Sequence, residues 1–447
     1  MEELKAGWRK VKLGDIIDFN PKETLKKNTI SKYVEMAQLQ CFARNIIGYS
    51  FKEYKGGTKF RNGDTLLARI TPCLENGKTA FVDILEEDEV GFGSTEYIVL
   101  RKKEGYTDEN YIFYLAISDL FRQIAIKSMT GTSGRQRVQT EVLKNSEIVI
   151  PEVNIQKKIA SILSLLDEKI ELNRKINQNL EETAQTLFKR WFIDFEFPNE
   201  EGKPYKSNGG KMIESELGEI PEGWRVGKLA NYFSDIISGD WGKELPQNNY
   251  IEEVNCIKGA DIIDITKGNK NKVVKRFILS KNFKNKKLQH GDLIVEISGG
   301  SPTQSTGRIT YVNSEILKKL DNKVITTNFC KVLRLKNHIL YPYIYLYWKY
   351  FYLNNLFFQF ENGTTGIKNL DINSILNSEN LFIIPCDNII SLFSKIIDIK
   401  FTFIQKKGNE IEKLIELRDY LLPRLMSGKI DVSNLKIFEI LNSDKFN

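Results

Sequence analysis

Four short motifs occur twice in this chain, in the same order both times. They are a Gly-Trp-Arg tripeptide at 7–9 and 223–225, a Gly-Asp pair at 63–64 and 291–292, the loops GTSG at 131–134 and GTTG at 363–366, and strand-like runs ending in Pro151 and Pro385. The separation between the copies grows steadily from 216 to 234 residues. Because the order is kept while the separation grows, we predict two homologous halves, with insertions in the second.

Each half has a segment of short β-like runs followed by one long helix. The runs are rich in β-branched residues and bounded by Gly, Asn or Pro, which is typical of short strands. Residues 156–192 then carry apolar side chains at three- and four-residue steps without a proline, and the pattern returns 234 residues later. A long helix with one narrow apolar stripe needs a partner. We expect the two helices to pack antiparallel on each other. The alternative is that each packs only on its own globular segment.

These patterns divide the chain into six segments. Two globular domains are predicted at 1–151 and 222–385, two long helices at 152–193 and 386–430, a polar surface linker at 194–221, and a peripheral polar tail at 431–447. Gly408 falls inside the second helix where the first has Arg174. Since glycine costs about 1 kcal/mol in a helix interior, Gly408 is a candidate site for a kink or a break.

Composition and missing motifs exclude several classes of protein. The chain has 447 residues, 41% of them apolar, with two histidines and five widely separated cysteines. This composition supports sizeable cores and argues against a zinc ribbon or a disulfide scaffold. Phosphate-binding loops and nucleophile elbows are missing, and Asn20-Pro21 does not fit the catalytic motif of amino-methyltransferases. Asp292 and Glu296 are interpreted as structural carboxylates. We therefore expect no catalytic residue, metal or cofactor in this chain.

The chain also lacks the signals of a secreted or membrane protein. The amino-terminal residues have no apolar run of the signal-peptide kind. The aromatic segment 339–360 is too polar for a membrane span and is predicted to be a buried helix. We expect a cytoplasmic protein.

The distribution of charge suggests a polyanionic partner. The net charge of +7 is concentrated in residues 222–384, which carry 22 basic and 15 acidic residues. Residues 267–287 contain nine cations and no acidic residue. Such a run can neutralise phosphates and release counterions, although runs of this kind are more often a solvated face. The candidate phosphate contacts in this run are Lys281, Lys284, Lys286 and Lys287.

Two types of loop recur and offer groups suited to reading bases. The first type is 130–139, matched by 362–371, and the second is 298–308, matched in position by 69–72. Their glycines allow close approach of the backbone, and their polar side chains can bind phosphates and base edges. The alternative is a helix C-cap and a plain turn. The candidates in the first half are Arg69, Thr71, Thr130, Thr132, Ser133, Arg135, Gln136 and Arg137. Those in the second half are Ser298, Ser301, Gln304, Arg308, Asn362, Thr364, Thr365, Lys368 and Asn369.

With these motifs in order, the chain resembles the specificity (S) subunit of type I restriction-modification systems. The resemblance is carried by LFKRWFIDFEFP (187–198), GGKMIESELGEIPEGWRV (209–226) and LLPRLMSGKI (421–430), together with the two Gly-Thr loops. It implies an α+β fold in which two homologous mixed α/β target recognition domains are separated by two long helices. The helices would form an antiparallel coiled coil in a pseudo-two-fold arrangement.

The same resemblance implies a function and partners. Each recognition domain would read one half of a split, asymmetric site in double-stranded DNA, and the helices would set the spacing. The subunit would be non-catalytic and would recruit two modification (methyltransferase) subunits and the restriction subunits. S-adenosylmethionine, ATP and Mg would belong to those partners. Two alternatives come from the residues alone: a divergent DNA methyltransferase or nuclease acting by itself, and a coiled-coil adaptor that binds only protein.

Overall fold

The chain forms two compact units in a computed structural model that describes residues 5–269, 273–299, 304–363, 368–379 and 381–435. Unit 1 comprises residues 1–171 and 413–447, and unit 2 comprises residues 172–412. Each long helix therefore contributes one part to each unit, so the compact units do not coincide with the six predicted segments.

Unit 1 contains two four-stranded sheets and several helices. The sheets have strand orders β2-β9-β6-β7 and β4-β3-β8-β5, and β1 pairs separately with β10. The elements are β1 (Trp8–Lys12), α1 (Leu13–Ile16), β2 (Ile17–Phe19), β3 (Ile30–Val34), β4 (Ser50–Glu53), β5 (Thr58–Phe60), β6 (Thr65–Ala68), β7 (Thr79–Phe81), β8 (Gly91–Gly93), β9 (Tyr97–Lys102), α2 (Glu109–Ile117), α3 (Asp119–Lys127), α4 (Thr140–Asn145), β10 (Glu147–Pro151) and the long helix α5 (Val153–Phe188). A π-helical turn, Lys189–Ile193, continues α5 in unit 2.

Unit 2 contains sheets of the orders β14-β21-β17-β19, β16-β15-β20 and β18-β23-β22, with β13 paired to β24 and β11 to β12. Its elements are β11 (Met212–Ile213), β12 (Ile220–Pro221), β13 (Arg225–Gly227), β14 (Phe233–Ser238), β15 (Tyr250–Ile257), α6 (Ile262–Thr266), β16 (Val274–Leu279), α7 (Ser280–Lys286), β17 (Leu293–Glu296), β18 (Ser298–Gly299), β19 (Ile309–Tyr311), α8 (Ser314–Lys319), β20 (Val324–Thr326), β21 (Cys330–Leu335), α9 (Tyr341–Leu353), β22 (Glu361–Asn362), β23 (Lys368–Leu370), α10 (Ile372–Asn377), β24 (Phe382–Ile384) and α11 (Asp387–Met426).

The topology of the two units repeats, which confirms the predicted mixed fold with two related halves. The sheet β2-β9-β6-β7 corresponds to β14-β21-β17-β19, and each is antiparallel throughout. The pair β1·β10 corresponds to β13·β24, also antiparallel. The parallel pair β3·β8 corresponds to β15·β20. The repeated Gly-Trp-Arg and strand-Pro motifs thus mark the strands that begin and close each globular part.

The repeated Gly-Asp pair marks, in each unit, an ion pair between a buried aspartate and a partly exposed arginine. Asp64 accepts a hydrogen bond from the Arg61 backbone N–H and binds the Arg101 guanidinium at 2.6 Å. In unit 2, Asp292 binds Arg334 at 2.8 Å in the same way. The aspartate closes its own turn and neutralises an arginine on the adjacent strand. This geometry supports the structural interpretation of Asp292.

The two long helices pack against each other antiparallel within unit 2. Phe188 near the end of α5 contacts Phe393 near the start of α11, with ring centroids 6.2 Å apart. Earlier on α5, the Asn177 side-chain amide donates to the Ile404 carbonyl, which lies later on α11. Each unit also buries apolar side chains of both helices in the core of its globular part. The predicted pairing is confirmed, and the packing on the globular parts occurs together with it.

Gly408 does not break α11, which runs without interruption from Asp387 to Met426. Its role is close packing: a Cβ at Gly408 would lie 2.5 Å from both the Cα of Gly268 and the carbonyl oxygen of Lys267. Of the two possibilities raised for Gly408, the break does not occur, and the glycine instead leaves space that a neighbouring backbone occupies.

Three other segments show how far patterns of polarity predict burial. Tyr341–Leu353 forms the predicted aromatic helix and is largely buried, although it ends earlier than the segment 339–360. In the linker 194–221, Phe195 and Phe197 are buried. Their rings pack on Trp224, at centroid distances of 5.6 and 5.0 Å. The tail predicted at 431–447 includes Val432, which is buried in the core of unit 1. Among the described residues, no helix is both long and apolar enough to cross a membrane.

Candidate nucleic-acid interface

In unit 1, the loops 69–72 and 130–139 meet and are joined by backbone hydrogen bonds. Thr130 and Arg137 exchange two of these bonds, at 3.1 and 2.9 Å, which closes a hairpin around the GTSG tip. Val138 N–H donates to the Arg69 carbonyl at 2.9 Å and ties the hairpin to the end of β6. The tip, residues 131–135, is exposed. In unit 1 the Gly-Thr loop is thus a hairpin with an exposed tip on a fixed base rather than a helix C-cap.

Some side chains of this hairpin bind neighbouring residues, and others have no partner among the described residues. Arg137 donates two hydrogen bonds to Glu96, at 2.7 and 2.9 Å. This contact lowers the pKa of Glu96 and raises the pKa of Arg137. Sequence reasoning proposed Arg137 as a bidentate base contact, but in the structure its planar donor face is used by a carboxylate. The sequence analysis did not identify Glu96 as the partner of Arg137, because the two residues lie 41 positions apart and no local pattern links them.

Three more candidates in unit 1 are held by neighbours. Arg69 donates to the Val138 carbonyl at 3.2 Å, and Thr71 donates to Glu75 at 2.6 Å. Thr130 accepts a hydrogen bond from Gln139 at 2.6 Å. The remaining candidates make no side-chain hydrogen bond or ion pair with any residue that the structure describes: Thr132, Ser133, Arg135 and Gln136.

Unit 2 builds the same arrangement from the corresponding residues. Asn369 pairs with Ser298 on one side and with Asn362 on the other, as Arg137 does with Ile70 and Thr130 in unit 1. The Leu370 N–H donates to the Ile297 carbonyl at 2.8 Å, matching the bond from Val138 to Arg69. Both loop types therefore converge in each unit through the same backbone contacts. Ser301, Thr364 and Thr365 lie outside the described residues.

Two cations proposed for DNA contact in unit 2 are bound by internal carboxylates. Arg308 donates to both oxygens of Glu296, at 2.7 and 2.5 Å, and this contact raises the pKa of Arg308. Lys368 forms an ion pair with Glu361 at 2.8 Å. Glu296 is therefore a structural group, as the sequence indicated. Among the other candidates, Gln304 donates to the hydroxyl of Tyr352 at 3.1 Å, and Ser298 contacts the Asn369 side chain.

The basic run 267–287 is not one continuous surface. Lys275 pairs with Glu253 at 2.5 Å and Arg276 with Glu244 at 3.0 Å, so acidic residues outside the run neutralise them. Lys286 donates to the Gly239 carbonyl at 2.7 Å. Lys270 and Lys272 lie outside the described residues. Three lysines at α7 remain exposed, without an ion pair to any described residue: Lys281, Lys284 and Lys287.

Within the described ranges, no three His, Cys, Asp or Glu side chains come together in a group that could hold a metal ion. Over the residues that the structure describes, the two units share a scaffold in which backbone pairing joins two loops that carry polar side chains. This scaffold defines a recognition protein with two related heads.

Comparison with known proteins identifies the family. A family model described as "Type I restriction modification DNA specificity domain" matches residues 5–182. The type I restriction enzyme MjaIX specificity subunit of Methanocaldococcus jannaschii is 30% identical over 74% of this chain and 71% of its own length. The HindI specificity subunit of Haemophilus influenzae is 26% identical over 95% of this chain and all of its own length. The chain belongs to the family of type I restriction enzyme specificity subunits.

A solved structure supports the fold. The type I restriction-modification system S subunit from M. genitalium is 17% identical, covers 95% of this chain and 98% of its own, and superposes with a TM-score of 0.53. The family model and the two specificity subunits confirm the family resemblance read from the sequence. They favour the role of specificity subunit over a methyltransferase or nuclease acting alone and over a protein-only adaptor.

Proposed function

We propose that this chain reads the two halves of a split, asymmetric site in double-stranded DNA, one half with each unit. The observation that carries the proposal is the repeated loop assembly, in which identical backbone pairing presents different side chains. Arg137 in unit 1 corresponds to Asn369 in unit 2, and Gln136 corresponds to Lys368. A conserved scaffold with different reading groups is what recognition of two different half-sites requires.

The same proposal assigns catalysis to partner subunits. The chain would recruit two methyltransferase subunits, which bind S-adenosylmethionine, and restriction subunits, which use ATP and Mg. The long helices α5 and α11 would set the spacing of the half-sites and dock the methyltransferase subunits. The family supports assembly with both kinds of subunit and with DNA, while the number of each and the role of the helices are part of the proposal.

The test is reconstitution with the cognate methyltransferase subunits. We expect no methyl transfer by the purified chain and methylation of one split sequence by the complex, detected by sequencing modified bases in a random-sequence library. Arg135→Ala should relax base preference in one half-site only, because its exposed guanidinium lies at the hairpin tip of unit 1. Methyl transfer by the chain alone, or methylation without sequence preference, would contradict the proposal.

The exposed lysines of α7 should act on affinity rather than on sequence. Replacing Lys281, Lys284 and Lys287 with alanine should weaken binding to all duplexes alike and reduce the slope of log K against log salt by about 0.9 for each phosphate that is no longer neutralised. Lys286→Ala is the matched control on the same helix. Since its ammonium group is already bound to Gly239, it should change the slope least. If the triple variant shows the same slope of log K against log salt as wild type, these lysines are solvated surface groups that do not contact DNA.

A further inference from the structure

Glu96 of unit 1 and Phe329 of unit 2 occupy the same position in the repeated scaffold. Each residue directly precedes the matching strand of its sheet, β9 or β21. The Glu96 carbonyl accepts a hydrogen bond from the Arg69 N–H at 2.9 Å, and the Phe329 carbonyl accepts one from the Ile297 N–H at 2.9 Å. Both residues therefore lie at the base of the loop assembly that we assign to DNA reading.

The two side chains have opposite chemistry. In unit 1, the carboxylate of Glu96 forms an ion pair with Arg137, so the two charges neutralise each other. In unit 2, the residue corresponding to Arg137 is Asn369, which contacts Ser298. Phe329 keeps 60% of its surface exposed, whereas the next residue, Cys330, is buried. The second unit thus presents a large apolar ring where the first has an internal ion pair.

The backbone that carries the ring is held by a hydrogen bond, and the residue after Ile297, Ser298, contacts the Asn369 side chain. The backbone of Phe329 is held by Ile297 on one side and by the start of β21 on the other, so the ring is presented on a rigid element, as a reading group should be. The other candidate reading groups of this loop assembly are polar, such as Ser298 and Asn369. An apolar side chain added to them suits one base feature in the major groove, the C5-methyl group of thymine. Residues 222–384, which contain this position, also carry the net positive charge that DNA binding needs.

We propose that Phe329 reads a thymine in the half-site bound by unit 2, through contact of its ring with the C5-methyl group. This inference rests on the proposed function and adds to it a specificity-determining residue. It also accounts for the difference between the two heads: unit 1 reads with polar groups only at this position, while unit 2 adds an apolar contact.

The experiment uses the complex of the full chain with its methyltransferase subunits and duplexes in which deoxyuridine replaces each thymine of the site in turn. Removing the contacted methyl group should weaken binding by wild type about fourfold, the effect of burying one methyl-sized group. Phe329→Ala should weaken binding to the thymine duplex at least as much and should be insensitive to the same uracil. Phe329→Leu should keep part of the sensitivity.

Phe51→Ala is the matched control, because Phe51 lies in unit 1 and is similarly exposed, at 64%. This variant should keep the wild-type response to uracil. The proposal is overturned if no thymine shows the effect, if Phe329→Ala responds to uracil as wild type does, or if that half-site contains no thymine. A wild-type complex that binds no split sequence at all would instead refute the proposed function, so the two failures are distinguishable.

Discussion

Replacing Asp167 with alanine should lower the free energy of unfolding of unit 1 by about 3 kcal/mol, because it removes the buried counter-charge of Arg418 and leaves only the exposed carboxylate of Asp419. Asp167 on α5 binds the Arg418 guanidinium on α11 at 2.9 Å, and their side chains are 5% and 8% exposed. The hydroxyl of Tyr114 on α2 donates to the other carboxylate oxygen at 2.7 Å. One carboxylate therefore joins three helices of unit 1.

The electrostatics of this cluster support the size of the effect. Burial disfavours the charge of Arg418, but the attraction and hydrogen bonds of Asp167 and Asp419 together outweigh burial and raise the pKa of Arg418. Burial also raises the pKa of Tyr114, which keeps its hydroxyl protonated as a donor. In the alanine variant, Tyr114 has no carboxylate to bind, and Arg418 keeps only Asp419, whose side chain is 59% exposed. The buried donors that faced Asp167 are then unpaired, and each adds to the cost.

The measurement is hydrogen exchange of peptides from unit 1 and unit 2, combined with denaturant unfolding. Protection should fall in unit 1 and change little in unit 2. Glu168→Ala, one residue further along α5 at an exposed position, is the control and should stay within about 0.5 kcal/mol of wild type. Replacing the pair together with Leu at 167 and Met at 418 should recover much of the stability. A decrease below about 1 kcal/mol for Asp167→Ala would show that the pair is solvated.

Gly408→Ala should destabilise unit 2 by about 1–3 kcal/mol, although alanine favours helices by about 1 kcal/mol over glycine. The sign is decided by packing: the new Cβ would lie 2.5 Å from the Cα of Gly268, which is backbone and cannot rotate away. α11 and the turn after α6 would have to separate. Nearby hydrogen bonds, such as those from Gln405 to the carbonyls of Ile265 and Thr266, would then lengthen.

Thermal and denaturant unfolding of Gly408→Ala should be compared with Lys406→Ala, an exposed position on the same helix. The lysine variant should be close to neutral. Hydrogen exchange in residues 258–269 should rise only in the glycine variant. If Gly408→Ala instead raises stability, helix propensity controls this position and the close approach of Gly268 is not required.

Local patterns predicted much of the fold because they depend on neighbours in the chain. The periodicity of apolar residues located both long helices, and runs of β-branched residues located the strands TLLA (65–68) and YIVLRK (97–102). The repeated motifs identified the corresponding parts of the two halves. At Gly408 the propensity argument left a kink or a break open, because it treats the helix as isolated and does not include the backbone of Gly268.

The candidate site shows the same limit. The sequence located both loop types, and the structure brings them together in each unit. The sequence could not show which cations were free to bind DNA. Arg137, Arg308 and Lys368 each bind a carboxylate, which lies 41, 12 and 7 residues away, respectively. The sequence analysis also missed Phe329. This residue becomes a candidate only through its backbone hydrogen bond with Ile297 and its equivalence with Glu96.

The amino-acid sequence by itself determined the two related halves, the two long helices, the loops that carry polar groups and the family, because order, spacing and periodicity are properties of the chain. Only the tertiary structure decided which side chains neutralise one another, which glycine serves close packing and which ring stays exposed. Those outcomes depend on contacts between residues distant in sequence, where burial and charge pairing set the free energy.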